Sequence, residues 1–131
     1  MAARSAIWLD APPGIRAPEP GDMVRLCSWG RVGGADDLVS ALAGHEIVLT
    51  AHVPVPSAIL QRCRWVRAVV GLGPEATGAV DWEWIRSTCL VVGRVETAGI
   101  DGVEAAVRAE LVRIGQRLHA LDAIGEGWEG T

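Results

Sequence analysis

Short apolar runs recur along this chain with amphipathic or proline- and glycine-broken stretches between them, and that alternation constrains the fold more than any other feature. Residues 5–10 (Ser-Ala-Ile-Trp-Leu-Asp), 23–29, 46–53, 65–70 and 90–95 each have the length and apolar content of a strand. The run over 65–70 is nearly continuous, as in a parallel strand covered on both faces. Asp36 is placed to cap a helix reaching about Ala43, with Gly44 closing it. Pro54-Val-Pro-Ser57 leads into a short helix ending near Cys63, and Asp81 caps another over 82–88. A long helix over 101–124 follows, in which Val103, Val107, Leu111, Ile114, Leu118 and Leu121 recur at threes and fours to form one apolar stripe. Glu104 and Arg108 form an i,i+4 pair in the favourable orientation. Residues 11–21 hold four prolines and two glycines, so they read as a loop. Strands alternating with helices predict an α/β sandwich around a mainly parallel, five-stranded sheet.

A chain of 131 residues, half of them hydrophobic, suits one domain with a single core and no need of metal or disulfide. Its 12 basic residues are all arginine, scattered among 16 acidic ones for a net charge of −4, which argues against nucleic acid as a partner. No apolar run approaches the ~20 residues of a membrane span, and Met-Ala-Ala-Arg-Ser does not open a secretion signal, so the expected location is cytoplasmic. Cys27, Cys63 and Cys89 are odd in number and lie in apolar patterns, as reduced, buried thiols do.

From Asp37 onward the order of motifs resembles the substrate domain of the D-2-hydroxyacid dehydrogenases. The segment from Leu42 through Val53-Pro-Val-Pro-Ser57 to Leu60 is similar to the family's helix, strand, Pro-Val-like turn and short helix. Trp65-Val-Arg-Ala-Val-Val-Gly-Leu-Gly-Pro-Glu-Ala-Thr-Gly-Ala-Val-Asp81 matches its strand, Gly-rich substrate loop and helix start. Leu90-Val-Val-Gly-Arg-Val-Glu-Thr-Ala-Gly99 and the helix after it match the last strand and the long crossing helix, and Leu121-Asp-Ala-Ile-Gly-Glu-Gly-Trp128 the segment beyond. The resemblance implies a flavodoxin-like three-layer sandwich. The departures bear on function: Pro74-Glu75-Ala76-Thr77-Gly78 stands where the family has Gly-Val-Gly-x-Asp, and Arg94-Val-Glu-Thr97 replaces an Asn-Thr-Pro-Gly-like turn. The family's nucleotide-binding domain, with its catalytic His, acidic partner and substrate-binding Arg, has no counterpart here, so the expectation is a stand-alone domain with no NAD cofactor and no hydride transfer.

Ligands of doubly wound sheets lie beyond the carboxyl ends of the strands. That rule selects the loops 52–56, 71–78 and 94–99, which offer His52, Gly73, Glu75, Thr77, Arg94 and Glu96. Arg94 suits an anion through its planar fork, or else pairs with Glu96 or Glu75 at the surface. Glu75 and His52 suit proton transfer, with a solvated carboxylate and a structural histidine as the plainer readings. His45 and His119 read as structural or exposed. Gly71-Leu-Gly-Pro-Glu-Ala76 resembles a dinucleotide fingerprint only superficially, since its proline removes an amide and the following helix is short.

Two functions fit these residues. One is a cofactor-independent enzyme of isomerase, cyclase or lyase type that binds a small anionic or carbonyl-bearing molecule, with Glu75 or His52 as acid/base and Arg94 as electrostatic stabiliser. The alternative is a non-catalytic pseudoenzyme that acts through protein contacts. Trp82 and Trp84, two apart on a short helix, are not expected to face one core together, so one is exposed or at a contact. The stripe of Leu111, Ile114 and Leu118 is expected to need a partner surface, most simply that of a homodimer.

Overall fold

The computed structural model describes residues 4–11, 24–29, 33–74, 76–96 and 103–129, with side chains described up to residue 124. Five strands form one sheet: β1 (Arg4–Trp8), β2 (Val24–Ser28), β3 (Ile47–Thr50), β4 (Ala68–Leu72) and β5 (Val91–Val95). Their order is β2-β1-β3-β4-β5 and every pairing is parallel. The helices are α1 (Ala35–Leu42), α2 (Ser57–Arg62), α3 (Ala76–Ala79), α4 (Trp82–Arg86) and α5 (Val103–Glu129).

Register explains why the central strands are apolar throughout. Ile7 pairs with Val48 and Val48 with Val69, while their chain neighbours Ala6, Ile47 and Ala68 are aligned in the same way on the opposite face. The first row packs with Leu38 and Leu42 of α1, Ile59 and Leu60 of α2 and Ile85 of α4. The second packs with Val107, Leu111, Ile114 and Leu118 of α5. Helices thus cover both faces, and each central residue is buried whichever way it points. On the edge strand β2 the pattern relaxes to alternation, with Val24 and Leu26 buried and Arg25 exposed.

The last helix corrects the expectation of an orphaned stripe. Leu111, Ile114 and Leu118 are at most 2% exposed and belong to the core of their own chain, so they are not available as an interface. Their burial is possible because β5 carries Gly93 where α5 crosses it: a Cβ there would lie 2.7 Å from Ile114 Cδ1. The helix runs through Glu129, past the expected end, and residues 101 and 102 at its expected start lie outside the described residues.

Capping follows the sequence reading at the start of α4 and the end of α1 and departs from it at the start of α1. Asp81 accepts the Trp84 amide at 3.1 Å, and the hydroxyls of Ser87 and Thr88 donate to the carbonyls of Trp84 and Ile85, which ends α4 at Arg86. Gly44 follows α1 with φ +79°, the left-handed geometry that closes a helix. Asp36, however, lies inside the first turn of α1, because Gly34 occupies the cap and the Asp37 carboxylate accepts the Gly33 amide at 2.7 Å. Strand β4 begins at Ala68, not Trp65, since the amides of Arg67 and Ala68 both donate to the Glu46 carbonyl and so align Ala68 with Ile47.

At the amino ends of the strands, Arg4 and Arg67 bridge Glu46 and Asp122. Arg4 lies 2.7 Å from Glu46 and 2.5 Å from Asp122, and Arg67 lies 2.7 Å from Asp122 and 3.7 Å from Glu46. The cluster ties α5 to β1 and to the starts of β3 and β4. No described helix is long and apolar enough to cross a membrane.

Candidate functional site

At the carboxyl ends of β4 and β5 the chain makes a turn that only a few residue types permit. Gly73 leaves β4 with φ +72° and its amide donates to the Val95 carbonyl at 2.8 Å, which holds the loop against the end of β5. The single-turn helix α3 follows and lies over β4. It is brought close because Gly71 has no side chain: a Cβ there would lie 2.8 Å from the Trp82 ring and 3.1 Å from Ala76 Cβ. The Trp82 indole also donates to the Ala76 carbonyl at 2.9 Å, so the same ring packs the strand and fastens the loop.

This arrangement leaves a cleft of about 410 Å³ lined by Gly73, Pro74, Thr77, Arg94, Val95 and Glu96. Four residues selected from the sequence, Gly73, Thr77, Arg94 and Glu96, therefore come together. Arg94 extends from β5 beside Gly71, its register partner, and is exposed. No ion pair joins it to Glu96 or to any other described residue, and Glu75 lies outside the described residues. Thr97 to Gly99, also in the expected loop, fall outside them as well.

His52 does not join this group. It lines a different and larger cavity, beside α1 and α2. Its amide, with those of Ala51 and Val53, donates to the Asp10 carboxylate at 2.6 to 3.3 Å. Asp10 follows β1 and these amides follow β3, so the carboxylate sits where the strand order reverses, the usual ligand crevice of such sheets. Three successive amides of this kind make an anion-binding concavity, and here the chain supplies its own anion. Sequence reasoning missed Asp10; an acidic residue directly after a buried strand was the available signal.

No family model, curated protein or solved structure matches this chain. The superficial dinucleotide pattern is not built as one, because Gly71 faces the Trp82 ring and α3 is only one turn long.

The two tryptophans correct a further expectation. Trp82 and Trp84 are both half-buried and both pack against the core beneath α1 and α2. Ile85 carries the buried line of α4 and the indoles flank it, which a two-residue spacing allows when the helix has only five residues. The thiols divide: Cys63 is buried, Cys27 half-buried and Cys89 exposed, so the expectation of three buried thiols fails at Cys89. Burial pushes the Cys63 thiol up, against a smaller opposing pull from Arg62, which suits a packed side chain and not a nucleophile. His45 is half-buried with Nδ1 2.7 Å from the Ser5 hydroxyl, and desolvation lowers its pKa. His119 is exposed.

Proposed function

We propose that this chain is a cytoplasmic, NAD-independent relative of the dehydrogenase substrate domains it resembles, and that it binds a small anionic or carbonyl-bearing metabolite in the cleft between the ends of β4 and β5. The observation that carries the reading is the meeting of Arg94, Thr77, Glu96 and the Gly73 turn around one cleft large enough for a small metabolite. Arg94 would hold a carboxylate through its fork, with the Thr77 hydroxyl as a further donor. A guanidinium without a protein carboxylate partner among the described residues leaves that role open to a ligand. Proton transfer in this cleft would fall to a carboxylate, Glu96 or Glu75, and not to His52, which belongs to another cavity.

Titration calorimetry with a panel of 2-oxo and 2-hydroxy carboxylates tests the proposal. At least one panel member should bind saturably, and Arg94→Gln should weaken it by roughly tenfold or more, the worth of a charge-assisted contact. A panel with no saturable member, or binding indifferent to Arg94, would remove it.

A further inference from the structure

The largest described cavity is not the cleft at β4 and β5 but a space of about 800 Å³ between α1, α2 and the segment joining β3 to α2. Its size is that of a small-molecule site. Leu38 of α1 and Ile59 of α2, each 4% exposed, reach it from the core, and Val53, Pro54 and Ala58 complete an apolar wall. Two prolines, at 54 and 56, stiffen that wall, and Pro removes backbone donors that an apolar ligand would leave without partners.

Among the described residues, two ionisable side chains line this cavity, His52 and Arg62. Neither the imidazole nor the guanidinium has a hydrogen bond or ion pair among the described residues. Two neighbouring carboxylates are already engaged by backbone: Asp10 by the amides of residues 51–53, and Asp37 by the amide of Gly33 at the lip. Among the described residues the lining therefore combines an apolar body-sized space with an arginine cation and no carboxylate, and the chemistry complementary to that is an anion carried on a hydrocarbon body.

We propose that this cavity binds an aryl- or branched-alkyl monocarboxylate, its apolar body against Leu38, Ile59 and Pro54 and its carboxylate at Arg62, with His52 as a second hydrogen-bonding group. This site is separate from the β4–β5 cleft and does not depend on the reading given for it.

The probes are 4-phenylbutanoate and its neutral amide, titrated into the full chain by calorimetry. The acid should bind saturably, with a Kd below roughly 1 mM. Arg62→Gln should weaken the acid about tenfold and leave the amide within about twofold, because only the acid uses the charge. Ala58→Trp, a change at an exposed wall position, should abolish binding of both by filling the space. Arg94→Gln should change neither. Absence of saturable binding, equal loss of acid and amide on Arg62→Gln, or loss on Arg94→Gln would overturn the proposal, the last by placing the probe in the other cleft. If Ala58→Trp fails to fold by circular dichroism, Arg62→Glu, at an exposed position, takes its place: it must abolish acid binding for the proposal to stand.

Discussion

Two glycines show how a missing side chain shapes this molecule. Gly71 and Gly93 both face helices across the sheet, but what they face differs. A methyl group on Gly71 would press on a rigid indole ring already fastened to the Ala76 carbonyl, and on Ala76 itself. At Gly93 the nearest atom is the far end of the Ile114 side chain, which can turn aside. Gly71→Ala should therefore cost about 1–3 kcal/mol by overpacking and Gly93→Ala less. Urea denaturation midpoints check this order, and equal losses would show that the Trp82 ring yields as freely as an isoleucine. The Gly71 variant should also disturb the β4–β5 cleft, since the ring that it displaces holds the loop bearing Thr77.

Among the elements, α5 carries the most consequential difference between expectation and structure. Its apolar stripe is legible from residue spacing alone, but spacing does not say what the stripe meets. The structure lays it on the chain's own sheet, from Gly93 of β5 to Val24 of β2, whose side chain lies against Gly115. Ile114→Ala should consequently cost about 2–5 kcal/mol, the range for truncating a fully buried isoleucine. That loss should be the same at any protein concentration. Thermal unfolding at two concentrations a hundredfold apart provides the measurement, and a concentration-dependent midpoint would return the stripe to an intersubunit contact.

At the scale of the molecule, the ends of the strands have divided their work. The amino ends hold the ionic cluster and His45, and the carboxyl ends hold the β4–β5 cleft and the cavity beside α1 and α2. Desolvation lowers the His45 pKa, so between its folded value and the ordinary value near 6.5 the unfolded chain binds the extra proton and stability falls as pH is lowered through that window. The hydrogen bonds from Arg4 and then Arg67 hold the Asp122 carboxyl below its ordinary range. Its contribution is present above the unfolded carboxylate value and is lost as pH falls through the folded one, so it acts at more acidic pH than His45. Denaturation midpoints measured from pH 7.5 downward should show both losses. His45→Asn should flatten the upper one and Asp122→Asn the lower, and a variant that leaves the profile unchanged would remove that residue from the account.

Period and punctuation alone determined the five strands, their parallel class and most of the helices, because a strand buried on both faces must be apolar throughout and proline and glycine must mark its ends. Local pattern also placed Gly73, Thr77, Arg94 and Glu96 at one end of the sheet. It separated neither His52 from them nor α5 from a partner, and it did not announce α3, the Asp10 carboxylate among its three amides, or the cavity between α1 and α2. Those depend on which segments the sheet order brings side by side. Chain periodicity records whether a side chain is covered, while what covers it is a contact between residues distant in sequence, and only the packed fold decides that.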